Sequence, residues 1–359
     1  MLLIALCASA VARDEAAKFI GSIGCKSSSC HGGAGEKRSQ YITWSQKDFH
    51  IRAYTILLDA RSARIGEAVG IAQPQSSARC TVCHSPFQAV AADRLTATAR
   101  PDEGISCESC HGAAESWLRG HTRTDWTYAT RVSAGMHDLR NLYLRANACV
   151  ACHQNVDVDL LKAGHPELVF ELDSQSNNEP KHWREDDPAT GPRSWLIGQA
   201  IALREIIWAL NKSAPDDRAR LLNDISALEW LLEKSGLANE LAHSDVGLEA
   251  LSAFGGIQQR ADEIARRGQN WNPTPESMMS ILRALAGTDS EFITKESKEA
   301  LFSRALRLTL ALDRLSAGLK LSSNIDKELN ALRADVQRRY DFDTAAFAEH
   351  LRALEAKLR

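Results

Sequence analysis

Hydrophobic and polar positions change rhythm near the middle of the chain. Beyond residue 190 apolar residues recur in steps of three and four: Leu196, Ala200, Leu203, Ile207 and Leu210 form one stripe, and Leu221, Ile225, Leu228 and Leu232 a second that stops before Gly236. Leu301, Ala305, Leu308, Leu312 and Leu315 form a third, and Phe347, Leu351, Leu354 and Leu358 a fourth. Each is the apolar face of an amphipathic helix without convergent polar groups, so the stripes predict core packing and not a cofactor box. Thr274 followed by Pro275 predicts a helix start, which Gly287 closes. The expected product is an antiparallel helical bundle of about five or six helices over residues 189–359. His243 and His350 are read here as surface residues, and Met278 and Met279 as helix packing.

Residues 13–188 read differently. They are rich in glycine, polar turns and short helical pieces, and their hydrophobic periodicity is weak. The run DDPATGPR at 186–193 has two prolines and a glycine and marks a linker between the halves. A domain with so little apolar periodicity needs apolar surface from elsewhere.

The cysteines indicate where that surface comes from. Four segments end alike: CKSSSCH at 25–31, CTVCH at 80–84, CESCH at 107–111 and CVACH at 149–153. A cysteine pair followed directly by histidine is the attachment signature of c-type haem: two sulfurs bond the macrocycle and the next imidazole reaches the iron. Cys25, Cys30, Cys80, Cys83, Cys107, Cys110, Cys149 and Cys152 are thus the expected anchors, and His31, His84, His111 and His153 the proximal ligands. Zinc ribbons also use CxxC knuckles, but zinc does not require histidine after every second cysteine. The first unit has a longer spacer, and a longer loop still brings both sulfurs to one haem edge. Four covalent haems give a mainly α, irregular multihaem cytochrome c domain over residues 13–188, its chain wrapped around the cofactors.

The remaining cysteine of the nine, Cys7, lies in the apolar stretch LLIALCASAVA at residues 2–12. That stretch reads as the hydrophobic region and cleavage site of a secretory signal, short enough to be a truncated one. The expectation is an exported, periplasmic product, where covalent haem attachment occurs and unpaired thiols would oxidise. No other apolar run approaches the roughly 20 residues of a membrane span. Net charge is −3, which makes neither nucleic acid nor an anionic membrane an electrostatically evident partner. Haem propionates would add acidity unless arginines such as Arg52, Arg79, Arg119 or Arg123 pair with them.

Each iron also needs a sixth ligand. Met136 is the one methionine of the mature haem half, whereas His50, His121, His137, His165 and His182 supply five further histidines. At this point the words around the motifs carry a resemblance. SQKDFHIRAY around His50, ISCESCHGAAESWLRGHT around His121, RANACVACH, AGHPELVFELD around His165 and PKHW around His182 together resemble the cytochrome c-554 family of multihaem electron carriers, over roughly residues 20–185. The resemblance implies closely packed haems, most held between two histidines. It favours His50, His121, His165 and His182 as distal iron ligands, leaves His137 as a spare, and suggests that His121 crosses back to the first haem and His50 reaches the third. Two departures stand out: Val158 replaces a histidine of longer relatives, and no fifth motif follows Cys152.

The leading function is a periplasmic electron carrier between redox proteins, with no catalytic residue required. An enzyme acting on a small nitrogen or sulfur species at one five-coordinate iron is the alternative, and a docking or filament-forming cytochrome is another. The identity of donor and acceptor and the oligomeric state are left open.

Overall fold

The computed structural model describes residues 17–238 and 254–359. The expected leader at 1–12 with Cys7, and His243, lie outside the described residues. The fold is mainly helical. Among the described residues no strand forms, and an isolated parallel bridge joins Phe19 to Leu95. No described helix is long and apolar enough to cross a membrane.

The chain divides into two compact units. One comprises residues 1–152, 159–167 and 177–184, and the other residues 153–158, 168–176 and 185–359. The expected boundary at residue 188 is therefore approximate, because two short stretches upstream count with the helical unit.

In the first unit the helices are short and join through turns. Its N-terminal segment is strapped down by carboxylates: Lys18 N donates to Glu115 Oε2 at 2.9 Å, Gly21 N to Glu108 Oε2 at 2.7 Å and Ser22 N to Glu103 Oε2 at 2.8 Å. Gly21 has φ +77°, and a Cβ there would meet Ala99 Cα and Thr98 O at 2.7 Å, so only glycine fits this strap.

In the second unit the helix Thr190–Lys212 packs against Pro215–Lys234 and Phe254–Gly268, while Lys298–Gly318 packs against Pro215–Lys234, Pro275–Ala286 and Ser322–Gln337. The four apolar stripes are buried throughout, from Leu196 and Leu228 to Leu312 and Leu351. Thr274 caps Pro275–Ala286 by accepting from Ser277 N, in a reciprocal box with the Ser277 hydroxyl, and Gly287 ends the helix. Met278 is buried, and His350 is half-exposed with Nδ1 2.7 Å from Asp335 Oδ2. The stretch 168–176 belongs here because Phe170 and Leu172 are fully buried. Arg307 donates to Phe170 O, Gln154 accepts from Phe170 N, and Gly198 leaves room for the Leu172 backbone, 2.8 Å from where its Cβ would stand.

Candidate haem-binding site

In an α-helix, residues i, i+3 and i+4 leave the same face. A CxxCH segment wound as helix therefore presents two sulfurs and an imidazole to one side. The second motif ends the helix Ala78–His84, the third is the helix Cys107–His111, and the fourth ends Leu142–His153. At the start of the third, Ser106 N donates to the Ser109 hydroxyl at 3.2 Å. The first motif cannot follow that rule, having four residues between its cysteines. It leaves the 3₁₀ turn Ser22–Cys25 and folds back, so that His31 N donates to Cys25 O at 3.3 Å.

Three motif histidines face a second histidine. His31 and His121 have ring centroids 6.1 Å apart, His84 and His165 6.3 Å, and His111 and His182 6.4 Å. A first-row metal bonded to two imidazole nitrogens at about 2 Å each sets the centroids roughly 6.3 Å apart. Direct ring packing would bring them closer. The separations fit an iron between the members of each pair. The interplanar angles differ: 13° for His31/His121, 81° for His84/His165 and 75° for His111/His182.

The outer nitrogens are occupied as such a role requires. Nδ1 lies 3.0 Å from Gln40 Oε1 in His31, 2.9 Å from Ala53 O in His84, 2.5 Å from Leu118 O in His121, 2.8 Å from Pro166 O in His165 and 3.3 Å from Pro180 O in His182. Nδ1–H donating to these oxygens leaves Nε2 as the lone-pair nitrogen, which fixes both tautomer and ring orientation for ligation. Burial holds His84 and His121 below the usual imidazole range, and burial together with the imidazoles of His182, His137 and His31 pushes His111 down to about 4. These rings are kept neutral, as iron ligands must be.

His182, and not His50, faces His111. His50 instead has Nδ1 3.0 Å from Asp48 Oδ1 and 3.4 Å from Glu179 Oε2. These two hydrogen-bonded carboxylates raise its pKa to about 10, so the ring is protonated at neutral pH and would have to give up its Nε2 proton to bind a metal; Asp48 also accepts from His50 N at 2.9 Å. A carboxylate behind an imidazole strengthens the opposite nitrogen as a metal ligand. His137 sits on the back of the third motif: its N donates to His111 O and its Nδ1 is 3.0 Å from Cys110 O. Its ring fills the space beside Gly112, where a Cβ would lie 2.8 Å from His137 Nε2.

The sulfurs of different motifs are neighbours. The Cys107 thiol interacts with the Cys25 sulfur, which lowers Cys25 and raises Cys107, and the Cys83 sulfur raises Cys152. Burial pushes the Cys110 thiol up to about 12, with the nearby Cys149 adding to it.

Two features were not legible as functional in the sequence. Glu108, a spacer of the third motif, is 2 % exposed and accepts from Ile20 N, Gly21 N and Ala114 N at 2.7–3.0 Å. It ties the third motif to the segment entering the first; a charged residue in a CxxCH spacer was its only signal. The other is what the arginines touch: Arg79 pairs with Asp159 at 2.8 Å, Arg123 with Asp125 at 2.6 Å, and Arg52 lies over the Phe49 ring.

Residues 24–112 match the family model described as cytochrome c554 and c-prime. The resemblance is borne out over that stretch, which holds the first three motifs and is similar to c-type cytochromes; the likeness implies covalently bound haem c as cofactor. No curated protein and no solved structure matches the chain.

Proposed function

We propose that this chain is an exported tetrahaem c-type cytochrome that carries electrons between redox proteins, with its irons held between pairs of histidines. The single observation that carries the reading is the set of three histidine pairs with centroids 6.1–6.4 Å apart, each built from one motif histidine and one distal histidine. Haem c supplies reversible one-electron chemistry when bound.

The residues then take these roles. The eight motif cysteines anchor. His31, His84, His111 and His153 bind from the proximal side; His121, His165 and His182 close the first three irons. His50 is the fourth distal ligand: it remains after the three pairs are assigned, and its Nδ1 is held by Asp48 and Glu179. His137 is left as the spare because its Nε2 edge, the one a metal would need, packs against Gly112.

Sulfur neighbours support an order of attachment sites. Cys83 beside Cys152, Cys110 near Cys149 and Cys107 beside Cys25 line up the second, fourth, third and first motifs in sequence. A carrier needs such a continuous row, with closed irons along it and no substrate position. Residues 189–359 serve as an antiparallel helical scaffold without haem. Covalent attachment supports a periplasmic location, where thiols not bonded to haem would oxidise.

Intact mass with a pyridine haemochrome assay, followed by anaerobic reductive titration, tests the proposal. Four haems per chain and four electrons taken up are expected, one for each motif. Three haems would remove the first motif from the account.

A further inference from the structure

Two of the distal imidazoles have a tryptophan set edge-on against them. Trp117 stands 5.4 Å from His121 with the planes at 87°, and Trp183 stands 4.9 Å from His182 with the planes at 88°. In both, the indole Nε1 is buried and has no hydrogen-bond partner. Trp117 as a whole is only 6 % exposed. Indole nitrogen is a donor only, and leaving it dry and unpaired forfeits its hydration without return.

A third unpaired donor lies in the same neighbourhood. Nε of Arg131 is buried without a partner. Arg131 belongs to the helix Tyr128–Ser133, and its carbonyl accepts from Ala134 N and Met136 N, two residues packed against the cluster that holds Trp117. Aromatic packing accounts for the tryptophan rings, since Trp117 is packed with Ile20 and Ala114. It does not account for donors that point at no acceptor beside two candidate iron ligands. The missing partner must be an acceptor, must sit beside an imidazole-bound iron, and next to Arg131 should be anionic. A haem propionate carboxylate has all three properties.

We propose that Trp117 Nε1 and Arg131 hold a propionate of the haem bound by His31 and His121, and that Trp183 Nε1 holds a propionate of the haem bound by His111 and His182. This rests on the reading of those histidines as iron ligands. It makes the three side chains positioning residues that set two of the potentials. An arginine at a propionate offsets negative charge beside the iron, which favours the reduced, less positive iron. Without it, the potential falls and the carboxylate titrates closer to neutral pH, so the potential becomes pH-dependent.

The test is a potentiometric titration of the holoprotein followed by electron paramagnetic resonance, for the parent and for Trp117→Phe, Arg131→Gln, Arg131→Lys and Trp183→Phe. The near-parallel His31/His121 planes give that iron a rhombic low-spin signal, distinct from irons with crossed planes. In Trp117→Phe and Arg131→Gln that signal should titrate at lower potential and gain pH dependence, with the others unmoved. Arg131→Lys should restore most of the shift, which loss of packing would not permit. Trp183→Phe should move one crossed-plane signal instead. Midpoints equal to the parent's in Trp117→Phe, Arg131→Gln and Trp183→Phe, with haem content and spin state intact, would overturn the proposal. A parent lacking low-spin iron would instead defeat the ligand assignment beneath it.

Discussion

His31 and His121 lie with their rings 6.1 Å apart and 13° from parallel, although one ends the first cysteine motif and the other follows the third. Their Nδ1 atoms are held by Gln40 and Leu118, which leaves Nε2 of each ring as the nitrogen for a metal. This crossing ties the first and third motifs together, as Glu108 does through the backbone of Ile20 and Gly21.

The pairing makes each distal histidine separately testable. Replacing His121, His165 or His182 with alanine should convert one iron in each variant to high-spin and let the reduced protein bind carbon monoxide at that site. His137→Ala should leave the spin state unchanged, because its ring packs on Cys110 O and Gly112. Electron paramagnetic resonance and carbon monoxide difference spectra measure both.

Glu108 should matter to stability more than its place in a spacer suggests. Glu108→Ala leaves the N–H groups of Ile20, Gly21 and Ala114 without their acceptor, at a cost on the order of 3 kcal/mol or more. Glu108→Gln keeps an acceptor oxygen and should lose about half as much. Thermal unfolding of the holoprotein, with hydrogen exchange at residues 20 and 21, gives the comparison.

Glu171 should give the helical unit a pH-dependent stability. Burial lifts its pKa to about 7, against the hydrogen bonds it accepts from Asp173 N and Ser174 N. Between the unfolded value of about 4.3 and the folded one, the folded chain holds more protons, so this residue's contribution to stability falls as the pH rises through that window. Glu171→Gln keeps the acceptor and removes the titration. Melting temperatures at acid and alkaline pH should converge for that variant; an unchanged difference would assign the pH dependence elsewhere.

Much of the core was readable because it is periodic: Leu196, Leu203 and Ile207 repeat at helical spacing and are fully buried. Phe170 and Leu172 are equally buried, but they belong to a short aperiodic stretch, so nothing local tied them to the helical unit. The motif histidines are contiguous with their cysteines and could be read directly. Their partners could be narrowed to five by residue type, yet the pairing of His182 with His111 depends on how turns return the chain. Trp117, Trp183 and Arg131 carried no signal, because an unpaired donor is visible only once its neighbours are placed.

Electron paramagnetic resonance of the oxidised protein at low temperature tests the central claim most directly. The three pairs, with His50 as the fourth distal ligand, predict wholly low-spin iron, with one rhombic signal from the near-parallel His31/His121 planes and strongly anisotropic, large-g signals from the crossed planes of His84/His165 and His111/His182. A high-spin signal in the unaltered protein would contradict the account, because it would leave an iron open to a substrate and put an enzyme ahead of a carrier.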